Sequence, residues 1–192
     1  MNDTLLLDPV RVLRGPGHSV QLGAVLINQG VLVGFDDEAR QQALGLGIKA
    51  SPAADQLVAP CLVDPHSVLE TPFSGDQETA VSLRHCAAAG GYGQIALLPR
   101  SSSWRDRPER LQGFSLDQDQ TATVRLHLWG GFSSGGKGDE LAPHGDLLEH
   151  GAIGLADDVA MVPAPLLERG LLLGERGGCP VRVAPRDPTL QG

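Results

Sequence analysis

Aromatic residues make up only 4% of this 192-residue chain, and cysteine occurs three times, at Cys61, Cys86 and Cys179, with no C-x-x-C pair. Such spacing suggests neither a disulfide framework nor a structural zinc site, and the thiols read as small core residues. No dense lysine or arginine run is present and the formal net charge is -8. Binding to phosphate backbones needs clustered cations, so nucleic acid is not an expected partner. No apolar stretch approaches the ~18 residues of a membrane-spanning helix, and Met1-Asn2-Asp3-Thr4 has an acid where a secretory leader carries basic residues. The chain is expected to be cytoplasmic, with no membrane partner.

What is present suits a packed α/β protein. Hydrophobic residues at 41% suffice for a core, and 25 Gly with 14 Pro fit many short elements joined by tight turns. Residues 1–56 read as a small β-rich subdomain. Its short apolar runs, Leu5-Leu6-Leu7, Ala24-Val25-Leu26-Ile27 and Val31-Leu32-Val33, are separated by Gly-containing turns, and Asn28-Gln29-Gly30 between the last two predicts a hairpin. The segment from Asp36 to Lys49 is less patterned, and reads as a loop or a short helix.

From residue 57 to 192 the pattern becomes strand, then helix, repeated. Leu57-Val58-Ala59-Pro60-Cys61-Leu62 predicts a buried parallel strand that leads into Val63-Asp64-Pro65-His66. A helix is expected over Asp76–Ala89, with acids in its first turn and Gly90-Gly91 as its stop. Gln94–Pro99 predicts a second strand, and the polar stretch Ser101–Gln120 admits a helical turn near Pro108. Thr123–Trp129 follows as a third strand, Asp139–His150 as a helix, Ala152–Ala156 as a fourth strand, Pro165–Arg176 as a helix and Pro180–Ala184 as a fifth strand. Five such units form an open parallel sheet or part of a (β/α) barrel, whose chemistry sits at the carboxyl ends of the strands.

The residues at those ends resemble the amino-terminal half of a dihydroorotase of the amidohydrolase superfamily. Ala59-Pro60-Cys61-Leu62-Val63-Asp64-Pro65-His66 is similar to that family's Pro-Gly-x-x-Asp-x-His-x-His-x-Arg segment. The likeness continues through Glu78-Thr79, Ala87–Tyr92, Leu98-Pro99, Gly136–Leu141, Gly151-Ala152 with Asp157-Asp158, and Pro180-Val181 with Asp187–Leu190. The resemblance implies a partial TIM-type (β/α)8 barrel behind a small β-subdomain. It also implies zinc-dependent hydrolysis of a cyclic amide such as dihydroorotate, in pyrimidine biosynthesis. It places metal ligands at His66, Val68, Asp158 and Ala184, and a substrate-carboxylate contact at Glu70, with Arg100 where the family usually has Asn.

Two of the four ligand positions are aliphatic. Val68 and Ala184 have no lone pair to offer a metal, and Glu70 reverses the charge expected of an arginine. A zinc site needs three or four protein ligands, so His66 and Asp158 alone leave it incomplete, and the expected protein is a catalytically degenerate dihydroorotase relative. A non-catalytic relative that binds a pyrimidine-pathway enzyme such as aspartate transcarbamoylase, or forms a homo-oligomer, is the alternative. Arg100 is the remaining candidate for a substrate contact.

Several features have plainer explanations. Gly131-Phe132-Ser133-Ser134-Gly135-Gly136-Lys137-Gly138 fits G-x-x-x-x-G-K, but Gly138 stands where a phosphate-binding loop needs Ser or Thr, and Pro143 interrupts the helix that should follow. Asp157-Asp158 also reads as a turn or helix cap. His127 lies between Leu126 and Leu128 as a packed strand residue, His85 and His150 suit helix ends, and His18 and His144 have no partners in sequence.

Overall fold

The computed structural model describes residues 3–69, 78–100, 104–115, 124–157, 161–175 and 178–184. The chain divides into two compact units, Met1–Pro60 and Cys61–Gly192.

The first unit is a four-stranded sheet in the order β3-β2-β1-β4, formed by β1 (Thr4–Val12), β2 (Gln21–Asn28), β3 (Val31–Phe35) and β4 (Ala50–Val58). The β2–β3 hairpin turns at Gln29 and Gly30, both with positive φ (50° and 76°). This is the backbone that matches strand twist in a two-residue turn and that favours glycine. The weakly patterned segment is a ten-residue helix, α1 (Asp36–Gly45), with Asp36, Asp37 and Glu38 at its positive end. Its inward residues, Ala39 and Ala43, pack with Leu6, Ala24 and Leu26; small side chains at i and i+4 let the helix lie close to the sheet. The other face buries Val10, Val12, Val25 and Ala53.

The second unit is a five-stranded parallel sheet in sequence order, β5-β6-β7-β8-β9. It comprises β5 (Leu62–Ser67), β6 (Tyr92–Leu97), β7 (Arg125–Gly131), β8 (Ala152–Asp157) and β9 (Val181–Val183). Helices α2 (Ala80–Ala89), α3 (Pro108–Ser115), α4 (His144–Glu149) and α5 (Ala164–Glu175) lie on the successive crossovers. It is the curled sheet of a partial (β/α) barrel, as the pattern implied. Leu97, Leu126, Leu128, Phe132, Leu147, Leu155 and Val162 form the centre of its main core. Residues alternate between the faces of a strand, so Ala96, Leu98, Trp129 and Ala156, with Val68 against them, line the opposite, concave face.

Several expectations are corrected. Leu57 and Val58 belong to β4, where they pair with Arg11 and Val12. Pro60, which has no N–H to give a ladder, separates them from β5, and the first barrel strand is Leu62–Ser67 rather than Leu57–Leu62. That strand is an edge, not buried, and Leu62 and Val63 are 55% and 56% exposed. Helix α2 starts at Ala80 because Thr79 and Ser82 form a reciprocal capping box, with Ser82 N–H donating to Thr79 Oγ1 (3.1 Å) and Thr79 N–H to Ser82 Oγ (2.9 Å). Asp76 and Gln77 lie outside the described residues. Helix α4 is only six residues, because Pro143 precedes it and the chain before it forms a β-bridge between Ser133 and Leu141. No helix among the described residues is long and apolar enough to cross a membrane.

Candidate functional site

The carboxyl ends of β5 to β9 lie at one end of the curled sheet, and among the described residues two hydrogen bonds cross its concave face. Trp129 on β7 reaches over the intervening β6 and donates its indole N–H to the Pro65 carbonyl on β5 (2.9 Å). Arg182 on β9 donates from Nη2 to Nδ1 of His66 on β5, at 2.8 Å. A guanidinium has donors only, so His66 Nδ1 is the acceptor and the imidazole carries its proton on Nε2. The two strands so joined are the outer strands of the sheet.

His66 is exposed and held from below by its own strand. Asp64 accepts from the His66 amide through Oδ1 (2.8 Å) and from the Ser67 hydroxyl through Oδ2 (2.7 Å). Val68 packs against Ala96, Leu98, Trp129 and Ala156. Ala184 is buried, and its amide donates to the Asp157 carbonyl (2.9 Å). Arg100 is half-buried just beyond the end of β6. Asp158 and Glu70 lie outside the described residues. Among the sequence-predicted positions, the structure therefore brings His66, Val68 and Ala184 to the same end of one sheet.

The described residues do not fit a zinc ion. The Nδ1 lone pair of His66 is committed to a cation, Val68 faces an apolar cluster, and Ala184 offers no donor atom. No group of three or more His, Cys, Asp or Glu residues among those described is arranged to hold a metal.

Beside this mouth lies a buried polar network that the sequence did not single out. Arg105 is 1% exposed and donates from Nε to the Trp129 carbonyl (3.1 Å) and from Nη2 to the Leu97 carbonyl (2.7 Å), tying the ends of β6 and β7. Burial pushes its pKa down to about 9, which leaves it charged at pH 7. Gly131 closes on the same segment. Its amide donates to the Arg105 carbonyl (2.7 Å), and a Cβ there would stand 2.8 Å from Trp104 Nε1. Ser133 is fully buried, donates its hydroxyl to the Asp157 carboxylate, and accepts from the Gly138 amide (3.1 Å). The only signal in sequence was Trp104, one of two tryptophans, within an otherwise polar stretch.

The glycine-rich loop is no phosphate cradle. The amides of Ser134, Gly135, Gly136, Lys137 and Gly138 donate to Glu140 O, Asp106 Oδ2, Ser133 O, Ser134 O and Ser133 Oγ respectively, and Lys137 is exposed. His127 pairs with Gln94 across β6 and β7 (2.9 Å). His144 is buried against the Phe132 ring, centroids 4.9 Å apart, and donates from Nε2 to the Phe132 carbonyl (2.8 Å). Burial lowers its pKa, outweighing that hydrogen bond.

A "Probable dihydroorotase-like protein" of Synechocystis sp. is 31% identical over 162 residues, covering 73% of this chain and 37% of that protein. The chain is a dihydroorotase homologue. A dihydroorotase of Thermus aquaticus is 29% identical over 189 residues, 97% of this chain and 42% of its own length. The homologue thus spans about two fifths of the length of these relatives. No protein-family model matches it. Among solved structures, the L-hydantoinase (dihydropyrimidinase) of Arthrobacter aurescens superposes with a TM-score of 0.64 at 16% identity, over 95% of this chain and 40% of its own. A Thermus sp. D-hydantoinase superposes with 0.66 at 15% identity, over 94% and 40%. At such identity these likenesses show the fold alone, that of a partial (β/α) barrel preceded in sequence by a small β-sheet.

Proposed function

We propose that this dihydroorotase homologue derives from cyclic-amide hydrolases of pyrimidine biosynthesis and, as the chain stands, has lost their metal-dependent hydrolysis. The observation that carries the proposal is the Arg182–His66 hydrogen bond. A dication polarises an amide carbonyl and activates water only when several lone pairs converge on it. Here one lone pair is directed at a guanidinium, and the neighbouring positions are valine and alanine. His66 and Asp158 are remnants of the ligand set in this reading, and Arg100 remains a candidate contact for a substrate carboxylate. Steady-state assays of dihydroorotate hydrolysis and of the reverse cyclisation, in saturating zinc, test it. No turnover above buffer is expected; turnover that disappears in His66→Ala would overturn it.

A second reading is a non-catalytic role in binding a pyrimidine-pathway enzyme such as aspartate transcarbamoylase, or a second copy. It is favoured by the exposed apolar residues Leu62 and Val63 on the edge strand β5, since open, apolar strand edges are normally covered. Co-purification with that enzyme at low salt, lost on Val63→Lys, would support it; monodisperse monomer and no co-purification would remove it.

A further inference from the structure

The mouth of the sheet contains a charge that the described residues leave without a counter-charge. Asp8, Asp36, Asp37 and Asp106 form ion pairs with Arg40, Arg14, Arg40 and Arg110 respectively, and none of these four meets Arg182. Its Nη2 bond runs to the His66 imidazole, and its Nε is buried with no hydrogen-bond acceptor among the described residues. The described carboxylates on the neighbouring strand ends are otherwise engaged. Asp64 accepts from the His66 amide and the Ser67 hydroxyl within its own strand, and Asp157 on the neighbouring β8 accepts from Ser133. A half-buried cation with no counter-charge among the described residues is costly, and a guanidinium, whose N–H groups can bond the planar oxygens of a carboxylate or phosphate, gains both the charge and an acceptor for Nε from such a ligand.

We propose that the Arg182 guanidinium, oriented by His66, is the recognition element of a small-oxyanion site at the carboxyl ends of β5 and β9. The ligand is a carboxylate or a phosphate, held by charge-assisted hydrogen bonds from the fork. The residue that denies His66 to a metal thereby supplies the mouth with a fixed positive charge of its own. This inference rests on the proposal above that no zinc is held here, since a dication on the same imidazole would repel the guanidinium.

The test is a titration of the wild-type chain with sodium phosphate and, separately, sodium malonate, at ionic strength held constant with chloride. The Arg182 Nε–H resonance, assigned by its loss in Arg182→Lys, is followed by NMR, and affinities are measured by calorimetry. A saturable shift with either anion is expected, with affinity reduced about tenfold or more in Arg182→Gln. Saturation by phosphate alone assigns a phosphate ligand, and by malonate alone a carboxylate. A linear, non-saturating response to both, or unchanged affinity in Arg182→Gln, would overturn the inference. If Arg182→Gln does not fold, the wild-type resonance decides. Zinc measured in the same preparation separates the two proposals: stoichiometric zinc contradicts the loss of the metal centre, whereas absent zinc with no anion saturation contradicts only the oxyanion site.

Discussion

The two faces of the β5–β9 sheet are built on different principles. The helix-facing side is a continuous apolar core, with Leu97, Leu128, Phe132, Leu147 and Leu155 meeting residues of the crossover helices. The concave side holds a small cluster of Ala96, Leu98, Trp129 and Ala156, above which polar atoms reach from strand to strand through Trp129–Pro65 and Arg182–His66. The first face is held by area removed from water, which tolerates any well-packed apolar set. The second depends on individual donors and acceptors, where one changed residue changes the chemistry. A barrel can therefore keep its fold while the residues at its mouth change.

Four substitutions test this contrast, from the largest effect to the smallest. Phe132→Ala on the helix face should cost about 3–5 kcal/mol by chemical denaturation, the usual range for an emptied aromatic site. A cost under about 1 kcal/mol would mean that this face is not the main core. Arg105→Met should cost about 2–4 kcal/mol, because two buried carbonyls at the ends of β6 and β7 lose their donors. A neutral result there would show that apolar packing holds the rim as well. On the concave side, Trp129→Phe should cost only about 1 kcal/mol, one lost hydrogen bond with most of the ring packing retained.

The smallest effect is confined to acid. Burial gives the His144 imidazole a lower pKa in the folded state than its ordinary 6.5, and its Nδ1 has no acceptor among the described residues. The unfolded chain then binds the extra proton more readily. The contribution of neutral His144 is complete above about pH 6.5 and is lost as pH falls through the folded value. The melting temperature of the wild type should decline between pH 7 and 5 more steeply than that of His144→Gln; parallel curves would contradict this assignment.

Much of the fold was legible because it is written locally. Apolar runs of strand length, glycine stops and the alternation of elements give five parallel strands with helical crossovers. Boundaries failed where a nonlocal pairing decided them, as when β1 claimed Leu57 and Val58 from the first barrel strand. Of the candidate site, the sequence offered only what the resemblance implied, with Val68 and Ala184 at positions where that family would place ligands. The contact found there was not legible: His66 and Arg182 are 116 positions apart, and only the curl of the sheet joins them. Arg105 was hidden for the same reason, its partners lying on two strand ends.

Zinc content of the purified chain, measured by mass spectrometry beside His66→Ala, tests the central claim most directly. The account predicts far less than one equivalent in both proteins, before and after incubation with zinc and removal of the excess. About one equivalent in the wild type, lost in His66→Ala, would contradict it and restore a metal centre to this mouth.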